Sequence, residues 1–292
     1  YTTPAKPLGE GHGLEIMLRY KNKELSLLPE PNREYGAMLW ELGESSCSYG
    51  IVTDALRCRC SAALSGTRNG EMRFVELQAK EDLGKLELEL SFEPVLAMYQ
   101  DYVNHPAYWR LGILAEEEGG CLMLRRLPRG AVGELWLCIS CDRTVRFSAD
   151  RHGGASALSS PYVRVRHSGV LRSGQRLSMR FCICLADTKE NAFEGAQHML
   201  ATGPSEYGSM VSAYASALNL GERQVAKAMD GVFALHFRLR ADAPFDAKER
   251  LWQYGISGDL PIILCPMGKE RHEVSELVRR FCLLLSCGMQ AE

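Results

Sequence analysis

The sequence predicts a mainly β protein, a large antiparallel sandwich followed by helices and a short α/β piece. Three observations carry this. Segments that alternate apolar and polar residues recur from Leu14 to about Asp187, separated by turn signals, with no helical period between them. At Asp187 the apolar spacing changes to that of helices and keeps it to about residue 253. A length of 292 residues, 46% hydrophobic and 24% charged, suits one large β domain with an appendage.

The strands follow in order. Leu14–Tyr20 and Lys23–Leu28 flank a Lys21-Asn22 turn, the outline of a hairpin. Ile51–Leu64 continues through the alternating Leu56-Arg-Cys-Arg-Cys60, and Gly66–Gly70 is a strong turn. Phe74–Ala79 and Lys85–Phe92 repeat period two, which sends Leu and Phe inward and the Glu side chains to water. Glu116-Glu117-Glu118 before Gly119-Gly120 reads as a solvated loop. Further strands are expected at Cys121–Arg125, Glu134–Ile139, Thr144–Phe147, Tyr162–Arg166 and Leu177–Leu185. So many strands without intervening helices form two extensive antiparallel sheets.

Helices come next. Asp187-Thr188 with Glu190 is a capping-box start for Asn191–Ala201, and Gly203-Pro204 breaks that helix. A second helix spans Ser205–Leu218. A third spans Glu222–Leu239, with Val225, Met229, Val232, Phe233 and Phe237 near one face. Asp246 with Glu249 opens a short helix into Trp252. A Gly255-Ile-Ser-Gly-Asp259 turn then leads into a buried strand, Leu260–Cys265. The helix over 271–286 places Val274, Leu277, Val278, Phe281, Leu284 and Leu285 on one face, with Gly288 as C-cap and a new strand starting at Met289. A strand–helix–strand crossover needs a parallel partner that these residues do not supply, and Tyr1 is not an initiator Met; both features read as a piece of a longer protein. The expected division is a sandwich over 1–187, a helical linker over 188–253 and the start of an α/β unit over 254–292.

Composition removes several function classes. A net charge of −2 offers no basic field for nucleic acid, and the short runs Arg125-Arg126 and Arg164-Val-Arg166 are mixed with acids, as on a solvated sheet face. No apolar run reaches the ~20 residues a bilayer span requires. There are eleven cysteines. Cys58-x-Cys60 and Cys182-x-Cys184 each put two thiols on one face of a strand, which suits packing better than a disulfide. Cys138-x-x-Cys141 has zinc-like spacing but no second Cys or His pair, and in a strand its thiols face opposite sides. No metal is expected. Many unpaired thiols imply a reducing compartment, hence a cytoplasmic location. Gly9-x-Gly11-x-Gly13 lacks the strand and helix of a phosphate loop, and no nucleotide fingerprint occurs elsewhere, so no cofactor is expected.

The candidate functional residues are few. Gly255-Ile-Ser257-Gly-Asp259 matches G-x-S-x-G only loosely, and its turn precedes a strand where a nucleophile elbow follows one. It reads as a structural turn in which Ser and Asp bond neighbouring backbone. Trp252, Tyr254 and Asp259 around it could touch a saccharide; for Trp252 a place in the core is the favoured reading. In Asp101–Arg110, Asp101, His105 and Trp109 combine polar and aromatic groups that could stack on sugar rings, against the favoured alternative that Tyr108 and Trp109 fill a core. Paired carboxylates for glycoside chemistry cannot be picked by spacing alone.

Three stretches together resemble glycoside hydrolase family 94, the cellobiose phosphorylases, cyclic β-1,2-glucan synthases and β-1,2-oligoglucan phosphorylases. They are Leu88–Ala97 with Asp101–Tyr108, Ala217-Leu-Asn-Leu-Gly221, and Leu251–Ile262 with its following helix. The third is the most specific and is closer to the synthases and β-1,2-oligoglucan phosphorylases. The resemblance covers roughly residues 50 to 292. It implies a β-supersandwich of the galactose-mutarotase-like type, linker helices, and then an (α/α)6 barrel that carries the catalytic acid and the phosphate site. The residues after 188 are too few for that barrel, and no position here matches the family's catalytic motifs. The resemblance therefore implies a non-catalytic sandwich and linker portion. That portion would support the barrel, shape its active-site rim and mediate homodimerisation in an enzyme using β-glucan and inorganic phosphate. A free-standing carbohydrate-binding or structural module is the alternative.

Overall fold

The computed structural model describes residues 13–27, 39–42, 46–97, 111–128, 133–151, 161–203, 205–237, 251–257, 262–263 and 270–287, with 101, 104, 105, 108 and 289 singly. It is mainly β, with two antiparallel sheets and helices. The strands are β1 Glu15–Tyr20, β2 Lys23–Ser26, β3 Leu39–Leu42, β4 Ser46–Val52, β5 Leu56–Leu64, β6 Gly70–Ala79 and β7 Gly84–Phe92. They continue as β8 Ile113–Glu118, β9 Cys121–Arg126, β10 Leu135–Cys141, β11 Arg146–Arg151, β12 Pro161–Leu171 and β13 Arg176–Ala186. One sheet has five strands in the order β11-β12-β7-β1-β2, and the other has eight, β3-β4-β5-β6-β13-β10-β9-β8.

The first hairpin shows how local chemistry sets the pairing. Tyr20 pairs with Lys23 across a two-residue loop. Lys21 and Asn22 both have positive φ, 45° and 60°, which is the mirror-image turn whose twist matches that of the strands. Alternation then divides each strand between two faces. Ile16, Leu18, Leu88, Leu90 and Val165 of the five-stranded sheet share one core with Ile51, Val75, Leu77, Phe181 and Ile183 of the eight-stranded sheet. On the eight-stranded sheet, the opposite parity holds Met72, Cys121, Met123, Cys138, Cys182 and Cys184.

Those side chains form a second apolar layer with Ala192, Ala196 and Met199 of α1, Lys189–Thr202. The Thr188 hydroxyl accepts from Asn191 N–H at 3.2 Å and starts this helix. Close approach depends on Gly195, where a Cβ would fall well inside van der Waals contact distance of Cys184 Sγ. The Ser140 hydroxyl donates to Ala196 O at 3.4 Å, and Arg180 Nη1 donates to Leu200 O at 2.6 Å. At the other end Lys189 lies 5.6 Å from the Trp136 ring centre and bonds Glu118 and, at 2.6 Å, Glu116.

Two expectations change here. Glu116–Glu118 is not a loop but the end of β8, where Glu116 and Glu118 point to one face and meet Lys189. Three consecutive acids hid the strand because the edge position needs little apolar surface. Alternate residues of β7 do not simply face water, since Glu89 is 4% exposed and Ser91 is buried. The first helix falls in the compact unit made of residues 1–41 and 46–204.

The second compact unit contains residues 42–45 and 205–292. Its described helices are α2 Ser205–Ala217, α3 Glu222–Phe237 and α4 Arg271–Ser286. The α2–α3 joint is Ala217-Leu-Asn-Leu-Gly221. Leu220 N–H donates to Ala215 O at 2.8 Å and Asn219 N–H to Ser216 O at 3.0 Å, with Asn219 at φ 51°. This is a Schellman C-cap. Gly221 then caps α3: its N–H donates to Gln224 Oε1 at 3.0 Å and its carbonyl accepts from Val225 N–H at 3.1 Å. Val211, Ala215, Leu220, Val225, Ala228, Leu283 and Leu284 form the core of this unit. On α4 the expected apolar face is rotated: Leu283 and Leu284 are buried, whereas Val278 and Leu285 are exposed. Cys287 is the C-cap. Gly288 and most of the strand expected at Leu260–Cys265 lie outside the described residues; Ile262 and Ile263 have no strand pairing. Residues 238–250 lie outside them too.

Gly195→Ala is expected to destabilise the protein by about 1–3 kcal/mol through overpacking against Cys184, despite a gain in helix propensity of up to about 1 kcal/mol. Urea unfolding of Gly195→Ala, Cys184→Ala and the double variant measures it. The Gly195→Ala penalty should vanish when Cys184 is already Ala.

Candidate functional site

The Leu251–Ser257 stretch is the end of a helix, not a catalytic elbow. Leu251 and Trp252 are helical; Tyr254 N–H then donates to Leu251 O at 2.9 Å and Gly255 N–H to Trp252 O at 3.0 Å. Ile256 N–H closes the motif on Leu251 O at 3.3 Å, and Gly255 takes φ 75°. These bonds define a second Schellman cap, with Gly255 at the left-handed position an L side chain enters only with strain.

This cap presents two aromatic rings to solvent. Trp252 is 59% exposed and Tyr254 73%. The Trp252 indole Nε1 donates to Ser257 O at 3.2 Å, which ties the ring to the turn beyond the glycine. The favoured expectation that Trp252 fills a core does not hold within this chain, where the side chain is mostly exposed. An exposed, oriented indole offers a surface on which an apolar sugar face can stack while ring hydroxyls stay hydrated. Asp259 and Trp109, the other two candidates, lie outside the described residues. Asp101, Asn104 and Tyr108 are helical, and Tyr108 is 51% exposed, so it does not fill a core.

A second polar constellation escaped the sequence reading. On the outer face of the five-stranded sheet, Arg19 on β1 donates from Nε to Glu24 at 2.7 Å, from Nη1 to Glu87 at 3.0 Å and from Nη2 to Glu89 Oε1 at 3.5 Å. Glu24 leads the contacts that raise the Arg19 pKa above its ordinary value. Arg166 on β12 donates to the other oxygen of Glu89. Beside them the Tyr162 hydroxyl donates to Ser91 Oγ at 3.2 Å, and the Arg164 guanidinium stands 4.6 Å from the Tyr162 ring centre. Both Glu89 oxygens are thus committed to guanidinium groups, which is a structural assignment and not that of a free acid or base. The signal was available in the parity of three strands: Arg19, Glu87, Glu89 and Arg166 all occupy positions that the apolar residues leave vacant.

The thiols behave as their spacing suggests. Cys58 and Cys60 lie 3.5 Å apart, sulfur to sulfur, on the core face of β5. Cys138 packs under α1 while Cys141 packs against the sandwich core, so the C-x-x-C pair does face opposite sides. Burial pushes the Cys141 and Cys182 thiols up to about 12. Cys121 is lowered to about 7 by the Cys138 thiol and then by Gln197, whose Nε2 donates to its sulfur at 3.2 Å. No group of three or more metal-ligating side chains is assembled among the described residues. No described helix is long and apolar enough to cross a membrane.

No protein-family model matches the chain, and no curated protein matches it. Among solved structures, part of it is similar to a protein described as a kojibiose phosphorylase from human microbiome, at 10% identity and TM-score 0.45, covering 65% of this chain and 25% of that one. A bacterial glucoamylase solved with acarbose is similar at 10% identity and TM-score 0.43, covering 68% and 31%. A heparinase III is similar at 8% identity and TM-score 0.38, covering 59% and 24%. The chain thus spans about a quarter to a third of the length of these structures.

Gly255→Ala should cost about 1 kcal/mol, from the left-handed backbone alone. Gly255→Asn, which tolerates that conformation, should cost less. Thermal unfolding of the two variants is the measurement, and equal losses would contradict the cap.

Proposed function

We propose that this chain is the non-catalytic sandwich and linker portion of a carbohydrate-active enzyme resembling the β-glucan phosphorylases and cyclic β-1,2-glucan synthases. The observation that carries the reading is the Leu251–Ser257 cap. The stretch most specific to that family's sequence pattern holds Trp252 and Tyr254 exposed and fixes the indole through Ser257. Two exposed aromatic residues at a helix end support contact with a β-glucan oligosaccharide, and Trp109 and Asp259 are proposed to belong to the same substrate-binding rim.

The sandwich is galactose-mutarotase-like in this reading, and the enzyme it serves is cytoplasmic. A supporting role also fits the chemistry of the described carboxylates, since Glu87 and Glu89 are engaged by Arg19, and Glu116 and Glu118 by Lys189. The (α/α)6 barrel that binds inorganic phosphate and holds the catalytic acid would come from chain beyond these residues, and the sandwich would shape its rim and join two copies. The exposure of Trp252 and Tyr254 also suits a second reading, a free-standing carbohydrate-binding module. The reading frame that encodes the chain separates the two: a downstream (α/α)6 region supports the first, a stop codon soon after Glu292 the second.

The purified 292-residue chain should release no sugar phosphate from β-1,2- or β-1,4-glucan in the presence of phosphate. Measurable phosphorolysis would sink the non-catalytic assignment. In the intact enzyme, Trp252→Ala should raise KM about twofold to tenfold, the loss of one stacking contact of about 0.5–1.5 kcal/mol, with kcat and Tm nearly unchanged. A fall in Tm with unchanged KM would instead assign Trp252 to packing.

A further inference from the structure

Among the described residues of the first unit, the outer face of the eight-stranded sheet is only partly covered. Helix α1 lies over β13 and β10 and touches the near ends of β6 and β9. Beyond it, the same face of β4, β5, β6 and β13 forms an open groove of about 570 Å³. Its geometry follows from the pairing register. One cross-strand row runs Val52, Arg57, Gln78, Arg176, and the next runs Gly50, Arg59, Glu76, Ser178. Gly50, Ser48 and Ser178 are short and keep the floor low.

The charge there is one-sided. Three guanidinium groups, Arg57, Arg59 and Arg176, line the groove against a single carboxylate, Glu76. Arg59 Nη2 donates to Ser48 Oγ at 3.2 Å, which orients it along the floor. Arg57 and Arg176 are exposed, and no described residue pairs with either. They flank Gln78 in one row, so their backbones stand about 10 Å apart, two strand spacings. Guanidinium is planar and weakly hydrated, and it grips a carboxylate with two parallel hydrogen bonds where an ammonium would offer a point charge.

We propose that this groove is a binding site for an acidic oligosaccharide, one whose sugar rings bear carboxylates. Two features favour a saccharide over an acidic peptide. β5, β6 and β13 are interior strands, so their backbone groups are already spent within the sheet and offer an extended peptide no ladder to join. Between the guanidiniums lie a hydroxyl and an amide, from Ser178 and Gln78, suited to ring hydroxyls between successive carboxylates. The groove shares no residue with the Trp252 cap, and the proposal rests on the carbohydrate-active reading only for its choice of ligand class.

The test is calorimetric titration of the whole chain with tetragalacturonate at low and at physiological salt. Neutral β-1,2-glucotetraose and a glutamate-rich peptide of matching charge are the comparators. Tetragalacturonate is expected to bind, more weakly as salt rises. Binding should fall about tenfold or more in Arg57→Gln/Arg176→Gln, which removes two charge-assisted contacts, and should strengthen in Glu76→Gln. These side chains are exposed, so circular dichroism should show an unchanged fold. No binding of tetragalacturonate, equal binding by the double variant, or tighter binding of the peptide would each overturn the proposal. Loss of β-1,2-glucan contact in Trp252→Ala with tetragalacturonate binding intact would leave this site standing, and the converse would leave the glucan reading standing.

Discussion

The packing of α1 on the sulfur-lined strip of the eight-stranded sheet is the constraint on which the sandwich unit depends. A sheet can bury one face in a sandwich and leave the other in water, but Cys138, Cys182, Cys184 and Met123 are apolar on the outer face and require a cover. The helix supplies it, and its footprint can be read along one strand. On β13, Cys184 and Cys182 lie beneath the helix. Arg180 sits at its rim and donates to the Leu200 carbonyl, one of the last four that a helix cannot satisfy internally. Ser178 and Arg176 lie beyond it, facing solvent. The composition of a single strand thus passes from thiol to guanidinium to hydroxyl as the cover ends. The same boundary decides which part of the face is available to a ligand.

The two helix ends in the second unit show a different economy. Both Asn219 and Gly255 take the left-handed conformation and close six-residue loops of identical bonding. At the first, the residues that meet are Ala215 and Leu220, both buried, and the chain turns at once into the next helix. At the second, the cap exposes Trp252 and Tyr254. One backbone device therefore serves packing in one place and display in the other, and the difference lies in the side chains it carries.

Much of the sandwich was legible because alternation is a strong signal when one face is buried: the hairpin at Lys21-Asn22, the inward parity of the Lys85–Phe92 leucines and the opposed faces of Cys138 and Cys141 all agree with period two. The losses have physical reasons. Strand β8 was missed because its last three residues are acids at a sheet edge, where charge is tolerated. The exposure of Trp252 was misjudged because a large aromatic predicts burial in general, and only the bond pattern around Gly255 shows that the helix ends there. Glu89 was assigned to water because pairing with Arg19 and Arg166 is a property of three strands and cannot be read from one. On α4, periodicity identified the helix correctly but not which part of its wide apolar stripe is covered.

The Arg19–Glu87–Glu89–Arg166 array has a consequence beyond its own contacts. A strand such as Lys85–Phe92 repeats so regularly that sliding it by two residues would return every leucine to the core, and hydrophobic burial would hardly register the change. The charges would. After such a slip Arg166 would face Glu87 or Ser91 in place of Glu89, and a desolvated carboxylate or guanidinium would be left without its partner, which is costly in a buried setting. The ionic array therefore acts as an index mark between β1, β7 and β12, distinguishing registers that the apolar pattern treats as equivalent.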